Sequence, residues 1–282
     1  MTYLEAILLS LLQGATEFLP VSSSGHEVLA HGLLYGEQTH EDPLLFVLLV
    51  HLGTLLAILW VFRGLIGRFL IYAGVEGWRQ WGQSGFAAAW LKNPTGRMIL
   101  AILLACIPTG LIGVLAKDRI EALFVEPELA GYALCVTALL LAATRLRKNP
   151  VTPQDEEATY DISFIHALII GAIQGGALIP GISRSGSTIA VALILGMNRR
   201  LAGEFSFLIA IPAIFGAILL KFRDFDPSRS SMSVGIGLVS MLVSAVSGYF
   251  FLRLLLRFVR GGQFSYFAIY CLVVGIWAII YF

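Results

Sequence analysis

Long apolar runs with few charged residues dominate this 282-residue sequence and constrain its fold more than any other feature. Hydrophobic residues make up 57% of the chain and charged residues only 13%. Soluble domains usually carry roughly 25% charged residues, so this chain lacks the polar surface of a soluble fold. The net charge of +1 gives no indication of nucleic-acid binding. The sequence therefore predicts an all-α, polytopic membrane protein.

Six of the apolar runs are long enough to cross a bilayer as helices. They are Leu44–Phe62, Met98–Ala116, Leu129–Thr144, Phe205–Leu220, Met232–Leu252 and Phe264–Phe282. Two further apolar regions, Leu4–Leu34 and Ile162–Met197, are interrupted by segments rich in proline, serine and glycine. The pieces on either side of each interruption are too short to span alone, which is typical of re-entrant helical hairpins. We predict six spanning helices and two re-entrant hairpins.

The two interrupted regions resemble each other. With an offset of 160, Ser23 matches Ser183, and a one-residue slip then aligns Gly25 with Gly186. In each half an interrupted region is followed by three spanning helices. We predict one membrane domain made of two repeats, residues 1–148 and 161–282, joined by a cytoplasmic linker at 149–160.

Loop charges indicate how the two repeats are oriented. Each repeat has an odd number of spans, so the second must be inverted relative to the first. With both termini outside and the loop Arg63–Arg97 in the cytoplasm, the cytoplasmic side holds thirteen Lys and Arg residues and the outer side five. This asymmetry satisfies the positive-inside rule. Only Arg184 belongs to neither side, because it lies inside the second interrupted region.

Polar residues that could carry chemistry are concentrated in the two interruptions. Gln13 and Glu17 are four residues apart and share one helix face. A helix that begins near Ser23 presents free N–H groups and a positive dipole end, with His26 one turn away. The second interruption adds a guanidinium, Arg184. Two helix starts that meet at membrane depth with an arginine predict a site for a multiply charged anion such as phosphate.

These interruptions also carry a family resemblance. Segments 13–26 (QGATEFLPVSSSGH) and 180–188 (PGISRSGST) resemble the two signatures of the undecaprenyl-diphosphate phosphatases, the bacterial bacitracin-resistance family. Segment 204–212 (EFSFLIAIP) is also similar to the family pattern. The resemblance implies a plasma-membrane enzyme that removes the terminal phosphate of undecaprenyl diphosphate at the outer face. This reaction recycles the lipid carrier for peptidoglycan synthesis and confers bacitracin resistance.

The resemblance also implies roles for individual residues. Ser23 corresponds to the nucleophile, His26 to its base or proton shuttle, and Arg184 to the arginine that clamps phosphate. Glu17 corresponds to the acidic residue that holds a divalent cation, Mg²⁺ or Ca²⁺, or assists proton transfer. Many members have a glutamate where this chain has Gln13, so more of the acidic duty falls on Glu17. The residues expected to surround the substrate are Gln13, Ser22, Ser24, Gly25, Ser183, Ser185, Gly186 and Thr188.

Several alternatives remain open at this point. Attack by a serine and attack by an activated water would use the same residues. A lipid or anion transporter, or a flippase, could use the same inverted repeat, and the sequence does not decide whether the protein is a homodimer. The Ser24-Gly25-His26 triplet also resembles the type-2 phosphatidic acid phosphatases. The other elements of that family are absent from this sequence, so that identity is rejected.

Overall fold

The computed structural model describes residues 2–35, 44–146, 162–223 and 232–282, and every regular element in these ranges is helical. The α-helices are α1 (Tyr3–Phe18), α2 (Ser23–Tyr35), α3 (Leu44–Val61), α4 (Arg63–Ile71), α5 (Gly77–Ser84), α6 (Pro94–Leu115), α7 (Lys117–Ala122), α8 (Pro127–Ala143), α9 (Phe164–Gly176), α10 (Arg184–Ile194), α11 (Arg199–Arg223), α12 (Val234–Arg260) and α13 (Phe267–Tyr281). The predicted all-α fold is confirmed. The predicted linker at 149–160 lies outside the described residues.

Within these ranges, five helical segments are long and apolar enough to cross a membrane: α3, α6, α11, α12 and residues 264–281, which include α13. The sixth predicted span forms α8, which is apolar but has 17 residues. At 1.5 Å per residue a helix of that length reaches about 25 Å, near the lower limit for spanning. The chain is thus a multi-pass membrane protein. Its described part contains five helices long enough to span the bilayer and several shorter apolar ones.

Two of these helices extend past the limits that hydropathy predicts. α11 begins at Arg199 rather than Phe205, and α12 continues to Arg260 rather than ending at Leu252. The added turns bury apolar residues such as Val259 while their arginines lie at the helix ends. Long basic side chains can keep their charge in water while their stems cover apolar surface. Charged residues therefore mark the edge of the apolar window here, not the end of the helix.

Both interrupted regions form a helix, a break and a second helix, as predicted. The first break separates α1 from α2 and the second separates α9 from α10. α1 packs along α12, and its counterpart α9 packs along α6, so each interrupted region lies against a spanning helix of the other half. Gly14 lies against Ser247 of α12 and Gly171 against Ala105 of α6, where an added Cβ would collide. Small residues permit such close approach between membrane helices.

The stretch between α3 and α6 differs from the sequence prediction. It was expected to be a cytoplasmic loop over Arg63–Arg97, yet it is almost entirely helical. It contains α4, a π-helical turn at Tyr72–Glu76, α5 and a second π-helical turn at Ala87–Lys92. The sequence contains little signal for these helices, because glycines interrupt the segment and its polar residues exclude a membrane-spanning helix.

Candidate active site

The breaks of the two halves touch each other. The Ser22 hydroxyl accepts a hydrogen bond from the Gly181 N–H at 3.2 Å. A Cβ on Gly25 would lie only 2.9 Å from the Gly181 Cα, so only glycine permits this crossing. Ser22 itself has a φ of +68°, an uncommon conformation for a residue with a side chain. The predicted meeting of two helix starts is confirmed.

Both helix starts are capped in the same way, which fixes the register of the repeat. The Ser22 hydroxyl accepts from the Gly25 N–H at 3.2 Å and lies 3.3 Å from the Ser24 hydroxyl. In the second half, the Ser183 hydroxyl accepts from the Gly186 N–H at 3.0 Å and lies 3.3 Å from the Ser185 hydroxyl. A side-chain oxygen on the third N–H is the usual N-terminal cap.

This shared geometry corrects one alignment made from the sequence. Ser22 is the structural counterpart of Ser183, so the offset at the breaks is 161 and not 160. The predicted pairing of Ser23 with Ser183 is therefore wrong. The counterpart of Ser23 is Arg184, and each is the first residue of its helix.

Glu17 joins these two counterparts. Its Oε2 accepts a hydrogen bond from the Ser23 hydroxyl at 2.7 Å. Its Oε1 accepts a hydrogen bond from the Arg184 Nη2 at 2.7 Å. The two residues form a salt bridge in which the Glu17 side chain is only 9% exposed and that of Arg184 15%. An ion pair with this little contact to water costs considerable desolvation and is retained where its geometry is good. The carboxylate thus holds the serine and the guanidinium on either side of itself.

Arg184 keeps part of its hydrogen-bonding capacity unused. Its Nη1 is buried and has no hydrogen-bond partner within the described part of the chain. The guanidinium carbon also lies 5.8 Å from the centroid of the Phe207 ring, which supports the side chain from one face. A buried N–H donor without a partner is costly unless a ligand satisfies it. The geometry therefore leaves the Nη1 nitrogen of Arg184 available to donate hydrogen bonds to an anion.

Gln13 and His51 form a second layer behind the carboxylate. The Gln13 amide nitrogen lies 3.2 Å from Glu17 Oε2 and 3.4 Å from His51 Nε2. His51 Nδ1 lies 2.8 Å from the Val47 carbonyl, which can only accept, so Nδ1 carries a proton. In the neutral ring Nε2 then accepts from the amide. His51 is not among the site residues predicted from the sequence, although its position as the one ionisable residue in the predicted span Leu44–Phe62 was a signal.

His26 does not pair with Ser23, contrary to the sequence prediction. Its Nδ1 lies 2.8 Å from the Ser22 carbonyl and its Nε2 lies 2.7 Å from the Tyr270 hydroxyl. The ring is also stacked on Tyr270, with centroids 5.7 Å apart. Residues three apart in a helix differ by about 60° around its axis, which is enough for Ser23 to face Glu17 while His26 faces α13.

A cavity of about 210 Å³ opens beside these groups. Ser23, Glu17 and Arg184 line it, together with Ser22, Ser24 and Ser183. Apolar side chains form much of the remaining wall, among them Leu48, Phe124, Leu178, Ile214 and Ile218, and Lys221 lines the cavity as well. Gln13 borders a smaller adjoining pocket of about 30 Å³, which it shares with Ser23 and His51. The main cavity combines a polar end for a charged group with apolar walls for a hydrocarbon.

Besides Gln13, which borders only the smaller pocket, four residues expected at the substrate do not line this cavity. Gly25 and Gly186 lie at the crossing of the breaks, and a Cβ on Gly186 would lie 3.2 Å from Pro20. Ser185 and Thr188 are fully buried, and the Thr188 hydroxyl donates to the Arg184 carbonyl at 2.7 Å. These residues hold the shape of the breaks. Ser22 and Ser183, in contrast, cap their helices and also line the cavity, and Ser24 lines it while its hydroxyl contacts that of Ser22.

Known proteins resemble this chain along nearly its whole length. The family model described as "Bacitracin resistance protein BacA" matches residues 6–277. The chain is 41% identical over 280 residues to the undecaprenyl-diphosphatase of Desulfatibacillum aliphaticivorans, covering 98% of this chain and 97% of that protein. It is 38% identical to the undecaprenyl-diphosphatase of Carboxydothermus hydrogenoformans (98% and 96% covered) and 40% identical to that of Methanosphaera stadtmanae (98% and 97% covered). The chain belongs to the bacitracin resistance protein BacA family.

Proposed function

We infer that this protein hydrolyses undecaprenyl diphosphate to undecaprenyl phosphate and inorganic phosphate. The relatives named undecaprenyl-diphosphatase match nearly the whole chain. The structural observation that carries the inference is the Ser23–Glu17–Arg184 arrangement at the polar end of an apolar-walled cavity. The reaction returns the lipid carrier to peptidoglycan synthesis, and bacitracin resistance follows from membership of this family.

The geometry supports Glu17 as the base for attack by Ser23. As the Ser23 oxygen attacks the terminal phosphorus, its proton passes to Glu17 Oε2, which already accepts that hydroxyl. The bond from the phosphorus to the bridging oxygen breaks, and undecaprenyl phosphate leaves. Water then attacks the phosphorus of the phosphoserine, the bond from phosphorus to the Ser23 oxygen breaks, and inorganic phosphate is released. The Ser23 oxygen takes a proton back, and the proton that Glu17 accepted leaves with the products. If water attacks the phosphorus directly, Glu17 takes the proton from that water instead.

Arg184 and the capped helix starts supply positive potential where charge accumulates. Phosphoryl transfer depends more on positioning and charge neutralisation than on covalent chemistry. The unpartnered Nη1 of Arg184 can donate to a phosphate oxygen while Nη2 remains on Glu17. α2 and α10 begin beside the cavity at Ser23 and Arg184, so the positive ends of both helix dipoles add to this potential. His26 lies outside the cavity lining and acts on this centre only through the position of α2.

A divalent cation would be held jointly by the protein and the substrate. No group of three His, Cys, Asp or Glu residues that could form a complete metal site exists among the described residues. Glu17 offers one carboxylate and Gln13 an amide carbonyl, which are oxygen donors of the kind that Mg²⁺ and Ca²⁺ accept. Mg²⁺ is commonly bound by one or two carboxylates plus substrate phosphates. When bound, such an ion neutralises phosphate charge.

The first prediction tests the activity itself. Purified protein in detergent should release phosphate from undecaprenyl diphosphate. A chelator should lower the rate of phosphate release at least about tenfold, because the negative charge that develops in the transition state would then be less neutralised. Restoring Mg²⁺ or Ca²⁺ should restore the rate. Phosphate release can be followed colorimetrically, with undecaprenyl monophosphate as the substrate control. Binding of the diphosphate without any phosphate release would favour a transporter.

The orientation in the plasma membrane is a further part of the proposal. Loop charges support both termini and the cavity mouth at the outer face, with residues 63–97 inside. All the proposed catalytic groups come from one chain, so a homodimer is not required for activity.

A second prediction tests this orientation. Gln83→Cys should resist a membrane-impermeant thiol reagent in intact cells, and Asp118→Cys should react, since both positions are exposed but lie on opposite predicted sides. The unmodified protein, with its three cysteines at buried or partly buried positions, sets the background. Both variants should react equally after the cells are opened. Labelling of Gln83→Cys in intact cells would reverse the topology.

A further inference from the structure

Residues 63–92 form a helical hairpin that the second half of the protein lacks. In the first half, α3 and α6 are separated by residues 62–93, whereas in the second half their counterparts α11 and α12 are separated only by residues 224–233. The added segment contributes nothing to the lining of the cavity. We call it the interfacial hairpin.

One face of the interfacial hairpin is fixed to the rest of the protein. Leu65, Phe69 and Tyr72 are buried at spacings of four and three residues, which places them on one side of the helix. The Tyr72 hydroxyl lies within hydrogen-bond distance of both the Ala89 carbonyl and Gln80 Oε1 and can donate its one proton to either, so it ties the two arms of the hairpin together. This face positions the segment rigidly, and the opposite face is held in place with it.

The opposite face is apolar and aromatic but exposed. Leu70 is 68% exposed, Val75 65% and Trp78 56%, and Trp81 and Phe86 are also open to the surroundings. The rings of Trp78 and Trp81 lie 5.1 Å apart, and those of Trp81 and Phe86 lie 5.5 Å apart. Three of the five tryptophans of the chain lie in this segment. Tryptophan is enriched where a protein meets the boundary between membrane and water.

The charge of the interfacial hairpin is strongly positive. Residues 63–92 contain Arg63, Arg68, Arg79 and Lys92, against a single acidic residue, Glu76. All four basic residues are exposed. A basic helix with tryptophan, leucine and valine on its outer surface has the composition of an amphipathic helix that lies in the membrane interface. Its charge is complementary to anionic lipid and not to the zwitterionic lipids.

We propose that the interfacial hairpin is a binding surface for the headgroups of anionic phospholipids. Trp78, Trp81 and the exposed aliphatic side chains enter the boundary between headgroups and acyl chains, and Arg68 and Arg79 contact the lipid phosphates above them. Because the buried face holds the segment to α6 through Tyr72 and Trp90, bound lipid also fixes the end of that helix. This inference does not depend on the catalytic proposal.

Contact quenching of tryptophan fluorescence can test the surface directly. A Trp60→Phe/Trp277→Phe background leaves only Trp78, Trp81 and Trp90, all within the interfacial hairpin. This protein is placed in vesicles containing equal mole fractions of phosphatidylglycerol and phosphatidylcholine, with either one or the other brominated on its acyl chains. A single basic residue near an anionic surface favours the anionic lipid by about fivefold. Brominated phosphatidylglycerol should therefore quench clearly more than brominated phosphatidylcholine.

Variants connect this preference to the arginines. Arg68→Gln/Arg79→Gln should reduce the preference at least about fivefold, whereas Arg253→Gln/Arg257→Gln, exposed on α12, should leave it unchanged. If the first variant does not fold, the background protein in about 1 M NaCl serves instead, because screening shortens the electrostatic range to about 3 Å. Equal quenching by the two lipids, or a preference that survives both the substitutions and the salt, would overturn the proposal.

Discussion

Replacing Ser23 with alanine is expected to lower the turnover of undecaprenyl diphosphate at least about a hundredfold, the scale for the loss of one key catalytic group. The Ser23 hydroxyl is the one serine hydroxyl in the described site that donates to Glu17, at 2.7 Å. Alanine leaves the carboxylate in place but removes the oxygen that would attack phosphorus. The measurement is phosphate release under substrate saturation.

Ser22 and Ser24 are matched controls because they flank Ser23 and line the same cavity. Ser24→Ala removes only the contact with the Ser22 hydroxyl at 3.3 Å and should lose far less activity. Ser22→Ala removes the cap of α2 and the hydrogen bond from the Gly181 N–H, so it should lower the free energy of unfolding by about 1 kcal/mol. A Ser23→Ala enzyme with most of its activity would exclude a phosphoserine and leave attack by water.

Two further substitutions separate the candidate bases. Glu17→Gln keeps the shape of the side chain but cannot take the serine proton, so its loss should equal or exceed that of Ser23→Ala. His26→Ala should lose less, since both ring nitrogens of His26 are engaged by Ser22 and Tyr270. A larger loss from His26→Ala than from Glu17→Gln would return the role of base to the histidine.

Much of this site could be predicted from the sequence, and the reasons are specific. A glutamate and an arginine inside apolar segments are costly, so their presence at Glu17 and Arg184 already indicated function. The breaks, rich in proline and serine, predict one helix start near Ser23 and another within residues 183–186. In the structure α2 begins at Ser23 and α10 at Arg184. The structure adds that one carboxylate connects them, a contact 167 residues apart in sequence that no local pattern could show.

The features that could not be predicted depend on side-chain direction and on tertiary packing. The sequence places His26 one turn from Ser23, but the stacking of its ring on Tyr270 turns it away. His51 lies on α3, and only the packing of α1 against that helix brings it to Gln13. Hydropathy predicts a loop where the interfacial hairpin lies, because its helices are not apolar enough to form a span. Those helices are stabilised by burial of residues such as Phe69 and Tyr72, which depends on tertiary packing.

Arg184 provides the most demanding test, because lysine and alanine should both abolish most activity for different reasons. In the native site Arg184 Nη2 donates to Glu17, and the buried Nη1 remains for the substrate. A lysine has one nitrogen, a strongly hydrated point charge, and cannot reproduce a planar fork. If its ammonium pairs with Glu17, no second nitrogen reaches the phosphate. We therefore expect Arg184→Lys and Arg184→Ala to lie within about tenfold of each other, both at least about a hundredfold below the native enzyme.

Thermal stability distinguishes this loss of a phosphate donor from a loss of structure. Arg184→Ala leaves the Glu17 carboxylate buried without its charged partner. Breaking a buried ion pair in this way lowers the free energy of unfolding by about 3 to 5 kcal/mol. Arg184→Lys keeps a positive charge beside Glu17 and should unfold close to the native temperature while remaining nearly inactive. Native-like turnover in Arg184→Lys would reduce Arg184 to a generic positive charge. A role in which Nη2 holds Glu17 while Nη1 donates to phosphate requires the opposite result: a stable lysine variant that still binds lipid but releases almost no phosphate.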